Sequence, residues 1–259
     1  MKCRISEGLF AAALFSLSAL HSVNAQPTLT TLHTFTGASD GANPNTGLIL
    51  SGNTLYGTAG GGSSGNGTVF KVNTNGTSFT NLYSFTKISG TYPYFTNSDG
   101  AGPNPVILSG NTLYGTAGAG GSSNRGTVFR VNTDGTSFTN LHNFTGGSDG
   151  AGPYAGVILS GNTLYGTTCG IMIFGGGSPG LGTVFSLTVP PPPLTIIHSA
   201  TNVILTWPTY APGVTLQSTT NLVSPVVWST NSPAPTIVNG QNAVTNPVSG
   251  TQQFYRLSQ

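Results

Sequence analysis

Apolar and polar residues alternate through short stretches of this chain, and the stretches return at a fixed period. Leu-Tyr-Gly-Thr stands at Leu55–Thr58, Leu113–Thr116 and Leu164–Thr167, each time directly after Ser-Gly-Asn-Thr. A glycine-rich segment follows, then Gly-Thr-Val-Phe at Gly67–Phe70, Gly126–Phe129 and Gly182–Phe185. Phe-Thr recurs at Phe35, Phe85 and Phe144, and Ser-Asp-Gly-Ala begins at Ser39, Ser98 and Ser148. The period is about 50 residues, a length that suits one supersecondary unit of a repeat array.

Each unit predicts four short strands. Thr30–Phe35 alternates polar and apolar residues, while Gly47–Leu50, Thr54–Thr58 and Thr68–Asn73 are rich in β-branched or aromatic residues. Ser-Gly-Asn links the second and third strands, and Asn75-Gly76 and Asp134-Gly135 are hairpin-turn dipeptides. Four strands per unit fit a propeller blade, with the repeated Tyr and Phe filling the space between neighbours. Three units fall short of the four to eight blades of closed propellers. A two-fold dimer of six blades, an open stack capped by another module, and a β-solenoid-like array all stay open.

Pro190–Pro193 predicts a stiff polyproline II spacer of ~12 Å. Beyond it, Thr201–Trp207, Val214–Ser218, Val226–Thr230, Thr236–Val238 and Phe254–Leu257 read as strands at sandwich-like spacing. Trp207 and Trp228 are expected in a core rather than as ligand platforms. The fold class is therefore all-β: three four-stranded propeller-blade-like repeats (29–78, 79–137, 138–189), a linker at 190–193, and a small β-sandwich-like (Ig/fibronectin-like) module at 194–259.

The first residues change the picture of compartment. Lys2 and Arg4 precede an apolar run from Leu9 to Leu20, and Val23-Asn24-Ala25 offers a cleavage site. Residues 1–25 thus read as a secretory signal, and the exported chain begins at Gln26. The apolar run is too short to span ~30 Å of hydrocarbon. From Gln26 onward the bases are Lys71, Lys87, Arg125, Arg130 and Arg256, and the acids are Asp40, Asp99, Asp134 and Asp149. So sparse and balanced a charge gives no footprint for nucleic acid and no basic patch for anionic lipid. Cys169 alone remains, so burial rather than an intrachain disulfide must hold the fold.

The run Leu-Tyr-Gly-Thr, glycine-rich loop, Gly-Thr-Val-Phe, Asn-Thr-Asp-Gly-Thr-Ser-Phe resembles the GloVer tandem repeat over residues 29–189. The resemblance implies a secreted or surface-attached, propeller-like array with a C-terminal module, and it brings no catalytic residues. A looser similarity to kelch repeats lacks the expected Trp. Leu-Thr-Trp, Gly-x-x-Leu-Gln-Ser-Thr and the terminal Phe-Tyr-Arg-Leu resemble small β-sandwich modules of exported bacterial proteins, which implies a sorting, anchoring or adhesion role.

Candidate chemistry is thin. Paired carboxylates could hydrolyse glycosides, but Asp40, Asp99 and Asp149 fill one repeat position, each before Gly, and read as turn residues bonding nearby backbone N–H groups. One acid per unit is a poor calcium cage. His33 and His142 are repeat equivalents with Tyr83 in the middle unit, which reads as packing. No histidine pair has zinc spacing. Cys169 sits in no nucleophile motif, and Gly60–Gly62 and Gly118–Gly121 lack the ending of a phosphate loop and read as mobile connectors. No cofactor is expected. Two insertions break the repeat: Lys87–Phe95, carrying Tyr92, Tyr94 and Phe95, and the apolar run Ile171, Met172, Ile173 and Phe174. These seven are the candidate ligand-binding residues, since loops on rigid scaffolds carry function.

The expected function is a secreted or cell-surface binding, adhesion or surface-structure module. Its expected partner is an extracellular polysaccharide or surface protein, with a homodimer through incomplete propeller edges. The alternative is a polysaccharide hydrolase or lyase on the same scaffold.

Overall fold

The computed structural model describes residues 27–90, 96–170, 181–190, 192–208, 214–230 and 233–258. It is all-β, built from small antiparallel sheets, none of which closes on itself. The chain divides into two compact units, Met1–Thr30 and Thr31–Gln259. Every element described below lies in the second unit.

The first sheet runs in order β1 (Ile49–Ser51), β2 (Thr54–Ala59), β3 (Thr68–Asn73) and β4 (Thr80–Ser84). The turn between β1 and β2 has two residues, with Gly52 at φ +55° in its first place. That is the position where a tight hairpin turn asks for glycine. The second sheet adds an edge strand: β5 (Ala101–Pro103) and β6 (Ile107–Ser109) both pair with β7 (Thr112–Ala119), then come β8 (Thr127–Asn132) and β9 (Thr139–Asn143). The third has three strands, β10 (Ile158–Ser160), β11 (Thr163–Thr168) and β12 (Thr183–Thr188).

One expectation is corrected. Thr30–Phe35 forms no strand. Its counterparts β4 and β9 close the sheet encoded by the preceding repeat, pairing Tyr83 with Val69 and His142 with Val128. A strand needs a hydrogen-bonding neighbour, and no described strand precedes Thr30–Phe35. The sheets are thus offset from the sequence period by one strand. The glycine-rich connectors fold back on themselves through backbone hydrogen bonds. Gly65 and Gly67 donate back to Gly62 and Gly61, and Gly126 donates to Gly120.

Alternation gives each sheet two apolar faces. Tyr56 and Val69 on one face of the first sheet share a core with Val106, Leu113, Phe129 and Val131 of the second. Tyr114 and Val128 on its far face meet Val157 and Leu164 of the third. Edge-to-face aromatic pairs recur at 5.1 Å for Phe35–Phe70 and Phe85–Phe129 and 5.2 Å for Phe144–Phe185. Room for these rings comes from Gly57, Gly115 and Gly166. A Cβ on Gly115 would lie 2.7 Å from Phe129 Cζ and 2.9 Å from Val106 Cγ1.

Beyond the prolines, β13 (Thr195–Ser199), β14 (Asn202–Pro208), β18 (Gln241–Pro247) and β17 (Thr236–Val238) form one sheet, in that order. A second holds β16 (Ser229–Thr230), β15 (Thr215–Thr219) and β19 (Phe254–Ser258). Trp207, 2% exposed, packs there with Leu205, Leu216 and Val244. Trp228 stays outside that core, with the Arg256 guanidinium 4.3 Å from its ring centroid.

Candidate functional site

The acids that the repeat places at one position also share one set of partners. Asp40 accepts from the Thr36 N–H at 2.9 Å and the Thr36 hydroxyl at 2.7 Å, with His33 Nε2 at 3.2 Å. Asp149 repeats this with Thr145 (2.9 and 2.5 Å) and His142 Nε2 (3.0 Å). Asp99 does the same with Thr86 (2.8 and 2.6 Å) and the Tyr83 hydroxyl (2.7 Å). The main chain of each aspartate is tied down too. Its carbonyl accepts from Thr68, Thr127 or Thr183, the threonine of Gly-Thr-Val-Phe. The loop is thereby clipped to the strand beside it.

The following glycine is required by the close approach. Gly100 has φ +110°, and a Cβ there would sit 2.5 Å from the Thr127 hydroxyl.

The aspartates do bond nearby backbone N–H groups, as their sequence context implies. What that context missed is the His/Tyr partner. Residues 33, 83 and 142 do pack: His33 stacks on Phe79 and Tyr83 on Phe138, each with centroids 3.7 Å apart, and His142 meets Phe144 edge-on at 4.8 Å. They also face a carboxylate. The exchange of His for Tyr keeps a group able to donate a hydrogen bond, and that was the available signal.

Electrostatics follow the geometry. The Thr36 hydroxyl bond, opposed by burial and helped by the Thr36 N–H and His33, holds Asp40 below the ordinary carboxyl value. Burial pushes Asp149 up, but the bonds from Thr145 and His142 outweigh it and leave it lowered. Burial, then the neighbouring Asp99, pushes the Tyr83 phenol well up, so it stays a neutral donor. Each carboxylate is an engaged acceptor, bonded by a threonine (Thr36, Thr86 or Thr145) and a His or Tyr (His33, Tyr83 or His142) that precede it in the chain. Among the described residues no group of three or more His, Cys, Asp or Glu could hold a metal ion, and no helix is long and apolar enough to cross a membrane.

Of the seven candidate ligand-binding residues, Tyr92, Tyr94, Phe95, Ile171, Met172, Ile173 and Phe174 all lie outside the described residues. Nearby, Ser89 and Thr96 form a bridge at the base of the first insertion. Cys169 is a free, exposed thiol. An aromatic that the sequence reading passed over is Tyr154, 53% exposed, its ring lying over Gly118. A cavity of about 90 Å³ beside it is lined by Arg125, Asn124 and Gly152. A larger cleft of about 600 Å³ lies between the β8–β9 turn (Asn132, Asp134, Ser137) and the β17–β18 turn (Ile237, Asn239, Gln241).

Comparison with known proteins adds the family. No curated protein compared with the chain matches it. The family model of the Gloeobacter/Verrucomicrobia repeat matches residues 94–223, just over half of the chain, from the loop before Asp99 through the third sheet and beyond it. The match spans two of the three copies of the clipped Asp loop, so this chain belongs to the Gloeobacter/Verrucomicrobia repeat family.

Proposed function

We propose that this chain is a secreted or cell-surface repeat protein that acts as a binding, adhesion or surface-structure module and performs no catalysis. The observation that carries the reading is the commitment of Asp40, Asp99 and Asp149 to the same structural clip in every repeat. Catalysis of glycoside cleavage needs two carboxyls in different roles. Three copies of one satisfied acceptor do not supply that division of labour.

In this reading the three stacked sheets are propeller-blade-like, and the two sheets around Trp207 are a β-sandwich-like module beyond a proline spacer. The signal-like first residues support export. The exposed Tyr154 and the aromatic insertion at Tyr92, Tyr94 and Phe95 support stacking on sugar rings, for which flat aromatic faces are suited.

The test is retention of the processed chain (Gln26–Gln259) on insoluble cellulose, chitin, xylan and peptidoglycan. Retention by one polymer, reduced by Tyr154→Ala or by alanine at Tyr92, Tyr94 and Phe95, is the expected result. Release of soluble sugar products, abolished by a single substitution at Asp40, Asp99 or Asp149, overturns the reading in favour of an enzyme.

A further inference from the structure

The interface between neighbouring sheets is made twice within the chain, and its two halves are left bare at opposite ends. At the end of the third sheet, Val184 is 83% exposed, whereas its counterparts Val69 and Val128 are fully buried. Tyr165 is 41% exposed, against 8% for Tyr56 and 3% for Tyr114. Ile158, on the same face, is 69% exposed. At the start of the first sheet the complementary half is open. Leu48 is 52% exposed where Val106 and Val157 are 2% exposed. Pro44 is exposed, while Pro103 and Pro153 are buried against Gly67 and Gly126 of the sheet before them.

The hydrogen-bonding edges complement each other in the same way. β12 pairs only with β11 among the described strands. β3 and β8, its equivalents, each have a further neighbour in β4 and β9. The residues after β12 cannot serve, because Val189 runs into Pro190–Pro193 and proline has no N–H to give. Thr31–Phe35 carries the sequence of that missing strand, with Leu32, His33 and Phe35 matching Leu82, Tyr83 and Phe85. It already packs on the first sheet as β4 packs on the second. Leu32 lies against Gly76 as Leu82 lies against Gly135, and Phe35 meets Phe70.

We infer that the open face of the third sheet docks the first sheet of a second copy of this chain. Thr31–Phe35 of the incoming copy lies along β12, with its His33 opposite Val184, the register of Tyr83 with Val69 and His142 with Val128. Tyr165 and Val184 close over Leu48 and Pro44, and the exposed Thr167 hydroxyl reaches the Thr46 carbonyl. The same bonds run from Thr58 to Asn104 and from Thr116 to Ala155 inside the chain. The contact is head-to-tail, so it builds a closed pair if the rotation returns and a longer array if it does not. Strand addition to a free edge supplies the main-chain bonds and the apolar faces supply the selectivity.

The inference rests on the stacked-blade reading but not on any ligand. Light scattering of the processed chain is expected to give twice the monomer mass or a series of multiples. Val184→Asp alone and Leu48→Asp alone are each expected to give monomer with an unchanged circular dichroism spectrum. An equimolar mixture of the two is expected to give a pair, because one intact face survives on each. Ile158→Lys, also at an exposed position, is a second variant at the trailing face with the same expected outcome. A monomeric wild-type chain overturns the inference, as does association that survives both charge substitutions or a mixture that stays monomeric. A monomer that still binds polysaccharide defeats this inference alone and leaves the proposed function standing.

Discussion

The middle repeat and the outer two share a sequence but not an environment. Leu113, Val128 and Phe129 of the second sheet are fully buried, because a neighbour covers each of its faces. Leu55 and Phe185, equivalents of Leu113 and Phe129 in the outer sheets, are only partly buried. The clip follows the same gradient. Asp99 is buried, while Asp40 and Asp149 are only partly so. A repeat of this kind has no core of its own. Its apolar faces acquire meaning from the unit stacked on them.

Substitutions at equivalent positions measure that difference. The largest effect is expected from Phe129→Ala, which removes a ring packed between Phe85 and Phe138 and should cost about 3–5 kcal/mol of unfolding free energy. Phe185→Ala should cost clearly less, and urea titration of the two variants decides. Next comes Gly115→Ala, whose added methyl meets Phe129 and Val106 in a closed interface and should cost about 1–3 kcal/mol. Gly166→Ala meets the Phe185 ring, which is only partly buried and so can give way more readily than the fully buried Phe129, and its thermal midpoint should fall less. Equal losses at Gly115 and Gly166 would dissolve the contrast.

Asp99→Ala strands the Tyr83 hydroxyl and both Thr86 donors and should cost about 1–3 kcal/mol. Asp149→Ala, at a wetter site, should cost less. The smallest effect is on pH dependence. Asp149 is held below its ordinary value of 3.8, so the folded chain gives up that proton more readily than the unfolded one. Its contribution is complete above the unfolded value and fades as pH falls through the lowered folded one. Melting curves down an acid series should show Asp149→Asn losing less stability than wild type in that window.

Much of this architecture was readable in advance, for a physical reason. Alternation at Leu55-Tyr56 and Val69-Phe70 reports which face a residue occupies, and that is local information. The Gly-Asn turn between β1 and β2 is equally local. The strand at Thr30–Phe35 was misplaced because its hydrogen bonds depend on a partner outside its own unit. The His/Tyr–Asp pairing escaped for a related reason. His33 and Asp40 are seven residues apart, but Tyr83 and Asp99 are sixteen apart across the insertion, so the spacing hides the shared contact.

The offset between sheet and sequence period bears on how such a chain can change length. Because β4 closes the first sheet but begins the second repeat, losing residues 80–138 would join Phe79 to Thr139. The strand Thr139–Asn143 would then follow β3 with Leu141 and His142 in the places of Leu82 and Tyr83. Both remaining sheets keep their full set of strands, and the new seam between them is of the kind the molecule already makes twice. An array joined this way can shed or gain one period in a single recombination step without passing through a broken sheet.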